Sequence, residues 1–418
     1  MEITRVTDPT ETRGPEEFSG HVAVGKKGLG PPTWRESVLW GLALTAGAIT
    51  FSIALGEAVL GLTLVLGAIW VVRERPVLSR PLTTLCAGMY VVWALISLVL
   101  GAESTGWGKS PRLIWLLALP LTALAVRTKK DISFLLKALA CGGGILALLV
   151  LIRNPLSALR GSGDFMSRLI DQGSMTNGQM LMVCCVMAAG LWGIERAAGR
   201  AGRGWLILLA LLSAALVVNL KRGSWICAFL ILAVFFSRRL GWKAPVILAL
   251  LAGLILLIPA ARRRLVELPH EFDANRGGRM TMWCKIAPEL IRRHPWGIGY
   301  SALTNRLMRE VAPEVELNRN HLHSNPIQIT VELGWLGLGI YLVWMLAALG
   351  QARRTLTMTG GDGGIWAAGL ALIGLMANGL VEYNFGDTEL LVVYAILMGL
   401  LSAGILTTPA TGDREAVA

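Results

Sequence analysis

The chain has 418 residues, 54% of them hydrophobic and only 16% charged, with a formal net charge of +12. A soluble chain of this length carries about 25% charged residues, so the composition excludes an ordinary soluble enzyme. The apolar residues lie in continuous runs of about 20, enough to cross the ~30 Å hydrocarbon core of a bilayer, and they lack the alternation of a membrane barrel. The expected class is therefore an all-α polytopic membrane protein. In such a chain excess cations mark cytoplasmic loops, and no nucleic-acid partner is expected. Cys86, Cys141, Cys184, Cys185 and Cys227 sit inside apolar runs and only Cys284 in a long polar one. That pattern fits neither a disulfide framework nor a thiolate metal site.

In chain order, Met1–Arg35 is polar and of mixed charge, without the apolar core of a cleavable leader. Residues 1–36 are expected to form a disordered cytoplasmic tail. Twelve spans follow: Ser37–Leu55, Ala58–Val72, Leu82–Leu100, Leu113–Val126, Ile132–Ile152, Met175–Ile194, Trp205–Leu220, Trp225–Phe236, Ala244–Ala261, Ile327–Leu349, Ile365–Leu380 and Leu390–Leu406. They divide the chain into spans one to nine (37–261), a large periplasmic helical loop domain (262–325), spans ten to twelve (326–406) and a cytoplasmic tail (407–418).

With the N-terminus inside, every inner loop is basic. These loops carry Arg73/Arg75/Arg80, Arg127/Lys129/Lys130, Arg196/Arg200/Arg203, Arg238/Arg239/Lys243 and Arg353/Arg354. The positive-inside rule requires this pattern, and both termini are then cytoplasmic. The exceptions carry information. Residues 262–325 hold ten arginines and four of the five histidines, though a long loop translocates despite its charge. The short turn Asn219–Ser224 lacks that excuse, yet it carries Lys221 and Arg222. Arginine there points to an anionic ligand, because its planar fork matches phosphate oxygens. Snorkelling at a span end is the plainer alternative for Arg222, and a solvated loop charge for Arg279. No P-loop motif and no inverted halves with matched broken helices are present, which argues against a pump or transporter.

The most informative stretch runs from His321 through His323, Ser324, Asn325, Pro326, Gln328 and Glu332 to Gly334 and Gly337. Asn325 suits an N-cap and Pro326 a first helical position, so a span is expected to start here with His323 at its outer mouth. A neutral imidazole at that position can serve as a general base. Glu332 falls about 9 Å into the helix, on the face of Gln328. A carboxylate at that depth is rare and usually functional, although it could simply neutralise an arginine, and Gln328 could merely bridge helices. Two stretches of the outer loop read as amphipathic helices: Thr281–Arg293, with Ile286, Leu290 and Ile291 on one side, and the segment where Leu303, Leu307 and Val311 recur every four residues. They are expected either to cover the site at the membrane surface or only to pack on neighbouring spans.

This stretch resembles the signature of the O-antigen ligase and polymerase superfamily: H-x-H-N, then Gln, then E-x-G-x-x-G. His323, Gln328, Glu332, Gly334 and Gly337 keep the spacing, while Ser324 stands where the family has Asn. Arg279 to Trp283 resembles the family's R-x-x-x-W, and His294-Pro295 to Gly299 its H-P-x-x-G-x-G. Lys221-Arg222-Gly223 is similar to its Ser-Arg-Gly turn, and Glu382 to Glu389 to the closing block of ligases.

The resemblance implies an inverting, metal-independent glycosyltransferase of the bacterial inner membrane that needs no cofactor. The donor would be a glycan on undecaprenyl diphosphate and the acceptor a hydroxyl of lipid A–core. His323 would be the base, Arg222 and Arg279 the diphosphate ligands, and His321, Gln328 and Glu332 supports. The acidic Glu382/Asp387/Glu389 group reads first as a partner for outer arginines and second as an acceptor site. A polymerase or a protein O-oligosaccharyltransferase would share the chemistry, and a lipid or anion transporter would use the arginines without it.

Overall fold

The computed structural model describes residues 33–77, 81–161, 163–165, 168–169, 172–266, 278–313, 321–358 and 362–403. The two tails, apart from residues 33–36, lie outside the described residues. Among the described residues the regular structure is helical throughout.

Fifteen labels suffice. They are α1 (Trp34–Ala48), α2 (Ile53–Glu74), α3 (Leu82–Leu100), α4 (Ala118–Ala125), α5 (Lys129–Arg160), α6 (Met175–Ala197), α7 (Arg203–Val218) and α8 (Arg222–Leu240). Then follow α9 (Lys243–Ile255), α10 (Pro259–Val266), α11 (Ala287–Arg293), α12 (Asn305–Val311), α13 (Asn325–Met358), α14 (Gly363–Asn378) and α15 (Thr388–Leu401). Six of them, α2, α3, α5, α6, α8 and α13, are long and apolar enough to cross a membrane, and α9 with α10 makes a seventh if the bent pair counts as one. Shorter apolar helices are α7, α14 and α15.

Over their described residues the twelve expected spans lie mainly on helix, but only these six or seven helices are long and apolar enough to cross, and three of the expected spans differ in shape. The first stops at Ala48, because Ser52 caps a new helix by accepting from Leu55 N–H. The fourth begins as a 3-10 helix, Thr105–Leu117, before it becomes α4. The ninth is not straight: α9 and α10 meet at 99°. Pro259 explains the break, since it lacks an N–H and disfavours helix in the residue before it.

α6 and α15 form the centre. Nearly every residue of α15 is buried, and so is most of α6. Helices apolar on every side belong inside a bundle. The outer helices α2, α7, α8 and α9 instead present exposed aliphatic side chains such as Leu62, Ile207, Leu230 and Leu250.

The 262–325 segment has its own small core. Ile286, Leu290, Leu303 and Leu307 are buried together with Leu322 and Val331, and Ile291 and Val311 pack against them. Each amphipathic stretch holds a helix, the second only from Asn305, past Leu303; α11 packs on α13, and α12 lies against Met282–Ile286. The first runs from Arg279–Thr281 through a π-helical turn, Met282–Ile286, into α11.

α13 is broken at Gly334, whose φ of 69° and ψ of −172° leave the helical region. The carbonyls freed by the break are all claimed. Val331 accepts from Ile298 N–H (3.1 Å), Glu332 from Gly299 N–H (2.9 Å) and Leu333 from the Trp93 indole (2.8 Å). The segment Pro295–Gly299 thus lies alongside the break as a backbone splint. The approach is too close for side chains: a Cβ on Gly297 (φ +93°) would meet Glu332 O at 2.3 Å, and one on Gly334 would meet Trp296 C at 2.5 Å. Gly297 and Gly334, from two sequence motifs and 37 residues apart, serve this single contact.

Candidate active site

His323 is held from its neighbours outward. The preceding residue, Leu322, is pinned at both backbone groups: its N–H donates to Gln328 Oε1 (2.8 Å) and its carbonyl accepts from the Trp283 indole (2.7 Å). His323 itself adopts φ 51°, a left-handed conformation that His enters more readily than most residues. Its imidazole is buried, with Nδ1 3.0 Å from Glu382 Oε2. The His321 ring stands edge-on to it, 4.2 Å between centroids.

Glu382 has a second partner. Its Oε1 pairs with the Arg279 guanidinium. One carboxylate therefore joins His323 to an arginine from a different segment. Burial pushes the Glu382 carboxyl upward, but the His323 hydrogen bond and the charges of Arg279, His323 and His321 outweigh it, and its pKa lies below the ordinary 4.5. An ionised Glu382 can accept from Nδ1–H, which is the tautomer whose lone pair lies on Nε2. The expectation that the acidic block partners outer arginines holds for Glu382.

Asn325 departs from expectation. It is the first residue of α13, and its side chain does not cap the helix but holds the 379–386 loop. Its Oδ1 accepts from Asn384 N–H (2.9 Å) and Phe385 N–H (3.2 Å), and its Nδ2 donates to Asn384 Oδ1. Asn384 Nδ2 in turn donates to Gln179 of α6 (2.9 Å). This buried amide chain fixes the loop carrying Glu382 against the helix carrying His323. Glu332 bonds to Gln328 Nε2 (2.7 Å) and to the Tyr383 hydroxyl (3.4 Å), so its hydrogen bonds go to neutral groups and not to an arginine.

The arginines meet at a cavity of about 260 Å³. Lys221, Arg222, Arg264 and Arg279 line it, with His323 and Glu382. Arg222 opens α8 after a tight turn in which Leu220 has φ 54°, and its Nη1 donates to Arg264 O (2.5 Å). Asn219 sets that turn: buried, it accepts from Ser174 N–H and donates to Ser174 O.

On the other side of His323 lies a second cavity, of about 600 Å³. Its wall mixes cations (Lys109, Arg112), carboxylates (Glu332, Asp387) and amides (Gln179, Gln328). Asp387 takes the Thr176 hydroxyl (2.8 Å), and Arg112 donates to Gly386 O (2.8 Å). Burial raises the Asp387 carboxyl above its ordinary range, against the pull of Thr176 and Arg112. Met175, His323 and Glu382 line both cavities and form the wall between them.

Residues 207–342 match the family model described as O-antigen ligase. This part of the chain is similar to O-antigen ligases. No curated protein matches the chain. The ligase-family match takes in Arg222, Arg279, His321, His323, Gln328 and Glu332, and it ends before Glu382. The matched family is glycosyltransferase-like, which supports an enzyme of that general kind, and the apolar helices together with the match support a multi-pass membrane protein.

The structure brings all six predicted site residues into one region. Arg222, Arg279 and His323 share the smaller cavity, and His321, Gln328 and Glu332 line the larger one beside His323. Sequence reasoning left out Lys109, Arg112, Gln179, Asn384 and Arg264. The first two lie in what reads as a plain loop between spans three and four, and nothing in their spacing marks them.

Proposed function

We propose that the protein transfers a glycan from undecaprenyl diphosphate to a hydroxyl of lipid A–core, with inversion, and so completes lipopolysaccharide. The observation that carries this reading is the His323–Glu382–Arg279 chain on the wall between an arginine-lined cavity and a mixed polar one. The smaller cavity suits the donor diphosphate, whose oxygens the forks of Arg222 and Arg279 would bind. The larger suits sugar hydroxyls, which need donors and acceptors together. The acceptor hydroxyl gives its proton to His323 Nε2 while its oxygen attacks the anomeric carbon. The bond from that carbon to the phosphate oxygen breaks, and undecaprenyl diphosphate leaves with its charge held by the arginines, as in other preorganised phosphate sites. Glu382 orients the imidazole and stabilises the imidazolium that forms, the role a buried carboxylate plays beside a catalytic histidine. His321, Gln328 and Glu332 position these groups, and no step calls for a metal.

The same reading sets the His323 end of the bundle in the periplasm, with twelve crossings of the inner membrane and both termini in the cytoplasm. A cysteine placed near Arg309 is then expected to react with an impermeant reagent from the periplasm, and one near Gly202 is not. The function is tested by reconstituting the purified chain with a defined lipid-linked donor and lipid A–core. The expected product is the β- or α-linked conjugate opposite in configuration to the donor. Transfer only to a second lipid-linked glycan would make the protein a polymerase, and no glycosidic product at all would leave a transporter.

A further inference from the structure

A third cavity, of about 420 Å³, lies at the far end of the bundle from His323. It is lined by Lys129, Ile194, Arg238, Arg239, Asp362 and Trp366 among others. On α6, Gln179 faces the active-site cavity while Gly193 to Ala197 line this one, a separation of more than about 20 Å at 1.5 Å per residue. On α8, Arg222 belongs to one cavity and Arg238 to the other.

The cations here are positioned. The Arg238 guanidinium lies over the Trp366 ring at 5.1 Å, and the Arg239 guanidinium over the Trp192 ring at 5.0 Å. Arg239 Nη2 also donates to Gly193 O (3.1 Å). Stacking on a ring fixes the plane and position of each guanidinium. The one carboxylate in the wall, Asp362, turns Oδ1 onto its own helix, accepting from Gly364 N–H (2.9 Å) and Ile365 N–H (3.3 Å). Two helices, α5 and the shorter α14, also start at this cavity, and their N-terminal dipoles add positive potential. Among the described lining residues three cations stand against one carboxylate, a positive excess that suits an anion.

The helix face leading to it tells which anion. Ile226, Leu230, Val234 and Arg238 are spaced four apart on α8 and share one face. The three aliphatic residues are 55%, 55% and 48% exposed, a continuous apolar track that ends at the guanidinium. A free phosphate has no use for such a track, whereas acyl chains do. We propose that this cavity binds the phosphate headgroup of an anionic phospholipid, whose chains lie along Ile226, Leu230 and Val234.

The test uses the full chain, purified in mild detergent and titrated with phosphatidylglycerol, phosphatidylcholine or inorganic phosphate. Native mass spectrometry counts retained lipid, and thermal unfolding reports stabilisation. Phosphatidylglycerol is expected to be retained and to raise the unfolding temperature, and the other two are not. Arg238→Gln with Arg239→Gln is expected to weaken phosphatidylglycerol retention by roughly 20- to 30-fold, about fivefold for each cation near a headgroup. Arg353→Gln with Arg354→Gln, an exposed pair near the same end of the bundle, is expected to leave it unchanged. Lys129→Gln, an exposed position that threatens the fold least, is expected to weaken retention about fivefold. Equal weakening by both arginine pairs would reduce the effect to general charge and overturn the site. Equal stabilisation by inorganic phosphate would overturn the lipid assignment, and so would unchanged retention in Lys129→Gln and the Arg238/Arg239 variant.

Discussion

The two cavities that meet at His323 differ in size and in the chemistry of their walls. Among the described residues the smaller presents four cations, Lys221, Arg222, Arg264 and Arg279, and one carboxylate, Glu382, which Arg279 and His323 engage. The larger alternates charge sign and adds amides and hydroxyls. One wall is built for concentrated negative charge, the other for a neutral ligand with many hydrogen-bonding groups. A reaction that joins two such partners needs a base that touches both sides, and His323 with Glu382 is the part of the protein the cavities share.

The division can be broken most severely at the shared wall. His323→Ala is expected to lower transfer by about 10²–10⁴-fold in single-turnover assays, the usual worth of a positioned base, with donor binding little changed. Glu382→Gln keeps the shape but removes the charge that orients the imidazole, and a loss on the order of 10²-fold is expected. A His323→Ala variant that bound donor poorly but turned over normally at saturation would make His323 a binding residue and move the search for the base to Glu332.

Variants on each side sharpen the comparison. Arg222→Ala and Arg279→Ala are expected to raise the donor KM by roughly 30-fold or more, since truncating one partner of a buried charge contact costs about 2–5 kcal/mol. Lysine should rescue poorly, because it lacks the bidentate fork. Arg279→Ala should also lower kcat, as Glu382 loses a partner. Lys109→Gln and Asp387→Asn are expected to raise the acceptor KM several-fold and leave the donor KM alone. Equal effects on both substrates from either set would erase the distinction between the cavities.

The clamp on Leu322 supplies a smaller effect. Trp283→Phe removes one hydrogen bond, worth about 1 kcal/mol, and is expected to lower kcat about fivefold with both KM values held. An unchanged kcat would show that Gln328 alone positions His323.

The smallest effect is on stability against pH. The Glu382 carboxyl is held below its ordinary 4.5, so it contributes stability that is fully present above that value and is lost as pH falls through its lowered pKa. Below pH 4.5 the unfolding temperature of the wild type should fall faster than that of Glu382→Gln. Parallel curves would mean that the carboxylate is not ionised in the native site.

Much of this was readable in advance, for identifiable reasons. Arginine in the short turn 219–224 opposes the topology signal, so Arg222 stood out from one segment alone. The helices of 279–293 and 305–311 follow from apolar spacing. Contacts between distant segments were another matter. Glu382 is 59 residues from His323, and no local pattern couples them. Asn325 has the composition of a cap, yet its amide reaches Asn384 across the fold. Arg279 and Trp283 were visible as a motif, but their separate tasks, one on Glu382 and one on Leu322, needed coordinates. Span lengths were also misjudged where a proline interrupts an apolar run, as at Pro259, because hydropathy does not register a missing N–H.

The break at Gly334 has a mechanical consequence. Bilayers differ in thickness, and a spanning helix adjusts by tilting or bending. The half of α13 before Gly334 is tied by backbone bonds to Pro295–Gly299, and through Gln328 to the loop that ends in His323. The half beyond Gly334 is anchored in the bundle instead, where Gln351 Nε2 and the Thr355 hydroxyl donate to Leu401 O (3.2 and 2.8 Å). The break thus separates a half of α13 that carries the His323 region from a half that follows the bundle, and a tilt of the second is not passed rigidly to the first.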